Sequence, residues 1–182
     1  MENVMAMKSD VKKRFDFASE SGFTLMELIV VIGIIAILLM ILVPQFSSMS
    51  DKAQAVSAKS DGKTVLTALS SYATTVASTP GTTFSSQNAV KEIHRALGSS
   101  DGSILPGYKV QINAPATGAS ATALVQVERG DLIYTITVDS GKGKITSVDC
   151  SGDADRCQAL VDGNQVNTYT ATAPTVTQTP TA

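Results

Sequence analysis

The chain contains no tryptophan, one histidine and two cysteines among its 182 residues, and only 5% of its residues are aromatic. These absences leave little material for a metal centre or a Cys/His nucleophile, and they require any hydrophobic core to be aliphatic. Charged residues make up 16% of the chain, whereas they make up about a quarter of a typical soluble domain. The formal net charge of −2 includes no basic surplus, so nucleic acid is not expected as the main partner.

Short motifs that mark common enzymes are also missing. The sequence contains no Gly-x-Ser-x-Gly, no phosphate-binding loop and no His-Glu-x-x-His. No two carboxylates stand at a recognisable spacing for general acid–base catalysis. The sequence therefore favours a protein that is not an enzyme and that uses no cofactor and no metal.

The apolar residues are concentrated in one long run. Within residues 23–46, nineteen of twenty-four residues are apolar and the only charged residue is Glu27. As a helix, residues 23–43 would span about 31 Å, which matches the hydrocarbon core of a bilayer. The alternative is a buried core helix, but the rest of the chain is too small and polar to surround a helix that is apolar on every face. The run therefore predicts membrane insertion.

The charges on either side of this run predict its orientation. Four basic residues lie between positions 8 and 14, and the first charges after the run are Asp51 and Lys52. The positive-inside rule then leaves residues 1–22 in the cytoplasm and sends the chain after Phe46 outward. Residues 44–50, directly after the run, contain no Ala-x-Ala cleavage pattern, so we expect the run to be retained.

The junction before the run is the most specific feature of the sequence. It reads Ser21-Gly22-Phe23-Thr24-Leu25-Met26-Glu27-Leu28. This segment resembles the class III signal peptide of type IV prepilins and pseudopilins, and the close match extends from Gly22 to Pro44. In that family a membrane peptidase cuts after the glycine and methylates the new N-terminal residue. The resemblance implies cleavage between Gly22 and Phe23, N-methylation of Phe23, and roles in assembly for Glu27 and Pro44.

The same resemblance implies partners and a location. The partners would be further copies of the chain in a helical homopolymer, other pilins, the prepilin peptidase and an inner-membrane assembly platform. The precursor would cross the inner (cytoplasmic) membrane once with its N-terminus in the cytoplasm. The mature subunit would then belong to an extracellular pilus on the cell surface.

Physical chemistry suggests a reason for Glu27. A carboxylate in a membrane helix costs on the order of 2.5–3.5 kcal/mol, and no Lys, Arg or His lies between positions 23 and 50. After cleavage the nearest cation would be the amine of Phe23, in the same or a neighbouring subunit. Pairing with a neighbour would remove the penalty only in the assembly and would set its register. The alternative is an acidic residue that simply favours the first turn of a helix.

An amphipathic pattern follows Pro44, a residue that predicts a kink or local unwinding. Apolar residues recur at steps of three and four, which predicts a helix to about Ser78: Phe46, Met49, Ala53, Val56, Val65, Leu69, Tyr72 and Val76. A short helix is predicted at residues 88–97, ended by Gly98.

Alternating and β-branched residues then predict strands at residues 108–112, 123–128, 132–138 and 144–148. The predicted fold is therefore α+β. A long N-terminal helix, with a membrane half and an amphipathic half, packs on a small antiparallel sheet of three or four strands, which is the layout of pilins.

Cys150 and Cys157 enclose six residues. An outward domain is in an oxidising environment, so a disulfide between them is expected. Many pilins close a C-terminal loop in this way. Two free thiols, or half of a metal site, remain the alternatives.

Two further features could suggest a binding function, but each has a simpler structural interpretation. The tripeptide Arg129-Gly130-Asp131 is an adhesion motif in some extracellular proteins, but glycine and aspartate also suit the turn of a hairpin. His94 lies near Glu92 and Arg95, with no second histidine in the chain and no cysteine nearby, so we expect a surface or capping role for it.

Three acidic residues, Asp149, Asp153 and Asp155, lie close to the proposed disulfide and could supply oxygen ligands to calcium. Their spacing does not match the Asp-x-Asp-x-Asp-Gly pattern with a closing Glu. A solvated acidic loop is therefore the favoured interpretation.

The C-terminal residues are rich in threonine. From Asn167 onward the chain contains seven threonines, two prolines and no charge, so we expect it to be extended or disordered. The predicted organisation is a cleaved leader (residues 1–22), a transmembrane and polymerisation helix (23–46), a globular head (47–166) and this tail (167–182).

Three functions fit these observations. The first is a structural subunit of a type IV pilus, cut after Gly22 and polymerised through its apolar helix, and the disulfide and the long tail favour it. The second is a pseudopilin of a type II secretion or DNA-uptake machine. The third is a membrane-anchored binding domain that never polymerises, which predicts no cleavage after Gly22.

Overall fold

The computed structural model describes residues 23–114 and 120–179. The leader and Gly22 lie outside the described residues. The described residues divide into two compact units, with the boundary between Pro44 and Gln45.

Helix α1 spans Leu25–Ser78, so the predicted end at about Ser78 is confirmed. The side-chain oxygen of Thr24 accepts a hydrogen bond from the backbone N–H of Glu27 at 3.2 Å. This contact caps the first turn, where the acidic side chain of Glu27 also suits the helix dipole. The helix includes Pro44.

The buried face of α1 differs from the predicted stripe in its first part. Val65 and Leu69 are fully buried as expected. Phe46, Met49 and Val56 are instead more than half exposed. The residues that replace them at the head are small or polar: Asp51, Ala55, Ala58 and Gly62. Small side chains allow the helix to approach the sheet more closely than Met or Phe would, and this is why the larger residues face outward.

Gly62 marks the closest approach. A Cβ atom at this position would lie 2.8 Å from Cγ2 of Ile136 and 3.3 Å from Cδ1 of Ile145. A glycine in the interior of a helix costs about 1 kcal/mol relative to alanine. Close packing against the sheet provides the reason for its presence here.

The sheet has five strands in the order β1-β2-β3-β4-β5. Their bounds are as follows: β1 Tyr108–Asn113, β2 Thr122–Arg129, β3 Leu132–Asp139, β4 Lys144–Ser151 and β5 Thr168–Tyr169. The first four are antiparallel, whereas β5 pairs in parallel with β4. The α+β prediction is confirmed, and the sheet has one strand more than expected because two residues of the tail join it.

Apolar residues on one face of the sheet form the core with α1 and with α2 (Ser86–Ala96). Val125 and Ile136 are cross-strand partners in this core and are fully buried. Ala89, Val90 and Ile93 of α2 are buried against the same cluster. Among the described residues, the buried core is mainly aliphatic, with Tyr134, Cys150 and Cys157 as its other members.

A third helix, α3 (Ala154–Asp162), lies where a loop was predicted. The carboxylate of Asp153 caps it by accepting a hydrogen bond from the backbone N–H of Arg156 at 2.9 Å. Cys157 and Leu160 form its buried side. The sequence prediction missed this helix because it is short and begins inside the segment between the two cysteines.

The described part of the tail is extended and ordered against the sheet, which differs from the disordered alternative. After β5, the side-chain amide of Gln126 donates to the carbonyl of Pro174 at 2.6 Å. The backbone N–H of Thr179 then donates to the carbonyl of Val110 in β1 at 3.1 Å. Val176, between these two contacts, is 8% exposed. The tail therefore crosses the face of the sheet opposite α1, from β5 to β1.

Candidate assembly site

The first part of α1 presents apolar side chains on every side. Every large hydrophobic residue from Phe23 to Val43 is at least 45% exposed. The helix is long and apolar enough to cross a membrane by length and composition. A surface of this size and character requires lipid or another apolar helix to cover it.

Glu27 lies in the first turn of this apolar segment. Within the described residues, no ion pair joins its carboxylate to a basic side chain. The expected partner of Glu27 is the amine of Phe23. This amine exists only after the leader has been removed. The assembly role of Pro44 remains a prediction in the same way.

Two groups of ionic contacts fasten the later part of α1 to the head. In the first, which we call the Arg156 clamp, the guanidinium of Arg156 donates two hydrogen bonds to the carboxylate of Asp51, at 2.5 and 2.9 Å. It donates two more to the carboxylate of Asp131, at 2.6 and 2.7 Å. The clamp therefore joins α1, α3 and the β2–β3 turn. Paired hydrogen bonds between a guanidinium and a carboxylate are among the strong contacts in proteins.

The second group, the Arg129 clamp, lies ten residues further along α1. Arg129 donates to the carboxylate of Asp61 at 2.9 Å and to the hydroxyl of Tyr108 at 2.8 Å. The hydroxyl of Tyr108 donates in turn to the same carboxylate oxygen at 3.0 Å. The guanidinium also lies 5.3 Å from the centre of the Tyr108 ring, which adds a cation–π contact.

The Arg129-Gly130-Asp131 tripeptide is the turn of the β2–β3 hairpin, and the glycine has a positive φ of 63°. Both of its charged side chains are engaged within the head, since Arg129 pairs with Asp61 and Asp131 with Arg156. A receptor that reads this tripeptide would have to compete with both ion pairs. The arrangement supports the interpretation as turn chemistry.

The surroundings of the Arg156 clamp shift the pKa values of Arg156, Asp131 and the neighbouring Tyr134. Hydrogen bonds to Asp51 and Asp131 raise the pKa of Arg156, and the hydrogen bond from Arg156 lowers the pKa of Asp131. Burial, followed by the negative charge of Asp51, raises the pKa of Tyr134 to about 12. The Tyr134 hydroxyl donates to the backbone carbonyl of Asp51 at 3.4 Å. Arg156 and Tyr134 therefore stay protonated at neutral pH, and Asp131 stays ionised.

Cys150 and Cys157 form a disulfide, as predicted, with their Cα atoms 5.6 Å apart. Cys150 belongs to β4 and Cys157 to α3, and both residues are fully buried. The bond thus holds α3 on the end of the sheet. Arg156, the residue before Cys157, projects from this helix to the clamp.

The acidic residues near the disulfide have separate contacts. Asp149 accepts a hydrogen bond from the hydroxyl of Thr168 at 2.5 Å. Asp153 is the cap of α3, and Asp155 lies in the first turn of the same helix. Among the described residues, no group of three acidic, histidine or cysteine side chains is placed to hold a metal ion.

His94 is fully buried in α2, which differs from the expected surface position. Its Nδ1 atom accepts a hydrogen bond from the backbone N–H of Leu105 at 3.4 Å, and its Nε2 atom has no hydrogen-bond partner among the described residues. Burial lowers its pKa because the charged imidazolium is disfavoured away from water. Its neighbours Ala89, Val90 and Ile93 supply the apolar surroundings that the sequence prediction underestimated.

The clamp residues were not identified as functional from the sequence. Asp51 and Arg156 are separated by 105 residues, and Asp61 and Arg129 by 68. No local spacing pattern connects residues so far apart. One signal for the Arg156 clamp was available in the sequence. Asp51 shares a helix face with Ala55 and Ala58, and a charged residue on a buried face requires a partner.

Comparison with known proteins places the N-terminal segment in a family. Residues 18–43 match the family model of the prokaryotic N-terminal methylation motif, which is the class III signal peptide of type IV pilins and pseudopilins. No curated protein and no solved structure matches the chain. The motif supports a type IV pilin-like or pseudopilin precursor in general terms, and the apolar helix that follows it fits a membrane-anchored precursor. A signal of this type implies processing by a prepilin peptidase and pilin assembly in general.

Proposed function

We propose that this precursor is a structural subunit of a type IV pilus, cut after Gly22 and polymerised through the start of α1 into a surface filament. The observation that supports this best is the exposed apolar surface of residues 23–43, which directly follows the cleavage motif. In the precursor this surface would be covered by lipid. In the filament it would be covered by the same segment of neighbouring subunits.

The proposed organisation follows from this function. Residues 1–22 are the leader that is removed, residues 23–46 insert in the inner membrane and later polymerise, and residues 47–166 form the outward head. The tail, residues 167–182, belongs to the outward part. The subunit has a structural role and carries out no catalysis.

Glu27 has a defined role in this proposal. Its carboxylate pairs with the N-methylated amine of Phe23 of a neighbouring subunit, and the pair removes the cost of a charge in an apolar environment. Because the pair forms only between subunits, it favours the assembled state and one register of the helices.

Filaments sheared from the cell surface provide the direct test. Mass spectrometry is expected to find, as the dominant species, a chain that begins with N-methylated Phe23. A processed chain found only in membranes would instead indicate a short pseudopilus of a secretion or uptake machine. An uncut chain that retains residues 1–22 would contradict both assembly functions and leave the anchored binding domain.

Substitutions at Glu27 test the pairing separately. Glu27→Gln keeps the shape of the side chain and removes its charge, and we expect it to be processed normally but to yield few filaments. Glu27→Asp, which retains a carboxylate, is the matched control and should assemble better than Glu27→Gln. Equal filament yields from the wild type and Glu27→Gln would refute the proposed pair.

A further inference from the structure

We propose that the Cys150–Cys157 disulfide is a redox-sensitive lock on α1: it holds Arg156 against Asp51, and its reduction releases the first buried turn of the helix from the head. The proposal concerns the head by itself and does not depend on filament assembly. It rests on the position of Asp51, on the partners of its carboxylate and on what holds α3 in place.

Asp51 is the point at which α1 first becomes buried. Every residue from 23 to 50 whose exposure is described is exposed, whereas Asp51 is 6% exposed. Ala55 and Ala58 continue the buried face one and two turns later. The contacts of Asp51 with the head therefore set the residue at which α1 first becomes attached to the head.

The carboxylate of Asp51 depends on Arg156. Its side chain is 8% exposed and accepts two hydrogen bonds from the guanidinium. Tyr134 donates to the backbone carbonyl of Asp51 and not to its carboxylate. Lys52 and Asp155 line the same small cleft as Asp51 and Arg156, but no ion pair joins Lys52 to Asp51 within the described residues. A buried carboxylate that loses its counter-ion is strongly destabilised.

The position of Arg156 depends in turn on α3, a helix that is not stable by itself. The helix has nine residues, and helices of this length are not stable alone in water. The disulfide attaches it to β4 at the residue directly after Arg156. Leu160 is buried, Val161 packs against the core, and Arg156 pairs with Asp131, an exposed carboxylate. The disulfide adds a covalent cross-link on the path from the sheet to Asp51, beside the short backbone connection between β4 and α3.

The redox step is an ordinary thiol–disulfide exchange with a dithiol. Because both cysteines are fully buried, the dithiol reaches them when α3 opens locally from the sheet. One thiolate of the dithiol attacks a cysteine sulfur and expels the other cysteine as a thiolate, and its second thiolate then attacks the mixed disulfide and expels the first cysteine. The disulfide gains two electrons and two protons and becomes two cysteine thiols, while the dithiol becomes its cyclic disulfide. Once the cross-link is gone, α3 is held less firmly against β4. Arg156 then leaves Asp51, and the turn of α1 from Asp51 to Ala58 loses its anchor.

Hydrogen exchange on the full chain in detergent micelles tests the lock. Exchange in residues 51–58 is compared between the oxidised protein and the protein reduced with dithiothreitol. We expect reduction to speed exchange in this segment by about tenfold, as for a local opening, and to leave the β2–β3 strands protected. If protection is lost equally in β2 and β3, the disulfide stabilises the whole head and the proposal is wrong.

A pair of variants shows whether the effect acts through Arg156. Arg156→Met should speed exchange in residues 51–58 without reduction, and reduction should then add little. Arg129→Met is the matched control, because it removes the other clamp on α1 and leaves the disulfide path intact. In that variant reduction should still speed exchange in residues 51–58 by the full factor. A full effect of reduction in Arg156→Met would overturn the proposal.

Discussion

Arg156 and Asp51 are joined by two hydrogen bonds, at 2.5 and 2.9 Å, although 105 residues separate them in the sequence. The aspartate is on the long helix, and the arginine is on a short helix tied to the sheet by a disulfide. Because the carboxylate is buried, the pair cannot be treated as an ordinary surface salt bridge. It connects the helix that carries the methylation motif to the folded head.

The first prediction concerns the strength of this pair. Arg156→Met leaves the carboxylate of Asp51 buried without a counter-ion. We expect the free energy of unfolding of the head to fall by about 2 kcal/mol, below the 3–5 kcal/mol of a fully buried pair because the arginine is about a third exposed. Thermal unfolding of the full chain in detergent, followed by circular dichroism, should show a melting temperature lower by roughly 5–10 °C.

The double variant Asp51→Asn/Arg156→Met is the control for this measurement. Removing both charges should recover part of the lost stability, since no unpaired buried charge remains. A double variant less stable than Arg156→Met would show that the ion pair is not the cause.

The second prediction concerns the close approach of α1 to the sheet at Gly62. Gly62→Val places methyl groups where Ile136 and Ile145 already lie. We expect a loss of about 2 kcal/mol in the free energy of unfolding, typical of an overfilled core. Ser57→Val, on the exposed side of the same helix, should change stability by no more than about 0.5 kcal/mol. Equal melting temperatures for the two variants would contradict the close packing.

The third prediction follows from the lowered pKa of His94. The unfolded chain, in which the histidine pKa is near 6.5, then binds a proton more readily than the folded head does. Stability is therefore highest above pH 6.5 and falls as the pH is lowered below that value, toward the folded pKa. Melting temperatures measured between pH 7 and pH 5 should show this decrease.

His94→Gln keeps an acceptor side chain but does not titrate, so its stability should vary less over the same interval. His94 is the only histidine of the chain, which makes the comparison specific. Asp101 titrates in a different range, because hydrogen bonds from Ser103 and Ser99 lower its pKa to about 2. An identical pH dependence in the wild type and His94→Gln would exclude His94 as the source.

The fourth prediction concerns the tail. Val176→Asp places a charge at a position that is 8% exposed, between the contacts to Gln126 and Val110. We expect residues 170–179 to leave the sheet and to be cut by a broad-specificity protease about tenfold faster, since cleavage follows local opening. Thr177→Asp, at the exposed next position, is the control. If the two variants are cut at the same rate, the tail is not held by its buried valine.

The parts of this fold that depend on local sequence pattern could be predicted. The end of α1 at Ser78 and the β2–β3 hairpin at Gly130 were predicted because turn residues interrupt clear periodicities. The contacts of the extended tail with the sheet could not be predicted in this way. Thr168–Tyr169 pair with β4, and Val176 is buried, through contacts that tertiary structure provides and that threonine-rich composition does not reveal.

The same distinction applies to the candidate site. The cleavage motif and Glu27 form a continuous stretch of sequence and could be recognised there. The apolar stripe of α1 was misplaced in its first part, because the spacing of three and four residues includes Phe46 and Met49, which are exposed. The true face uses small residues and a charge, and both depend on a partner surface that lies far away in the sequence.

The two clamps also have a mechanical consequence. Asp51 and Asp61 lie ten residues apart on one helix, about 15 Å along its axis, and both are tied to the turn that contains Arg129 and Asp131. A pull along the axis of α1 would load both ion pairs in shear. Tension on the helix would therefore reach the sheet through these two pairs as well as through the side chains of α1 that pack in the core.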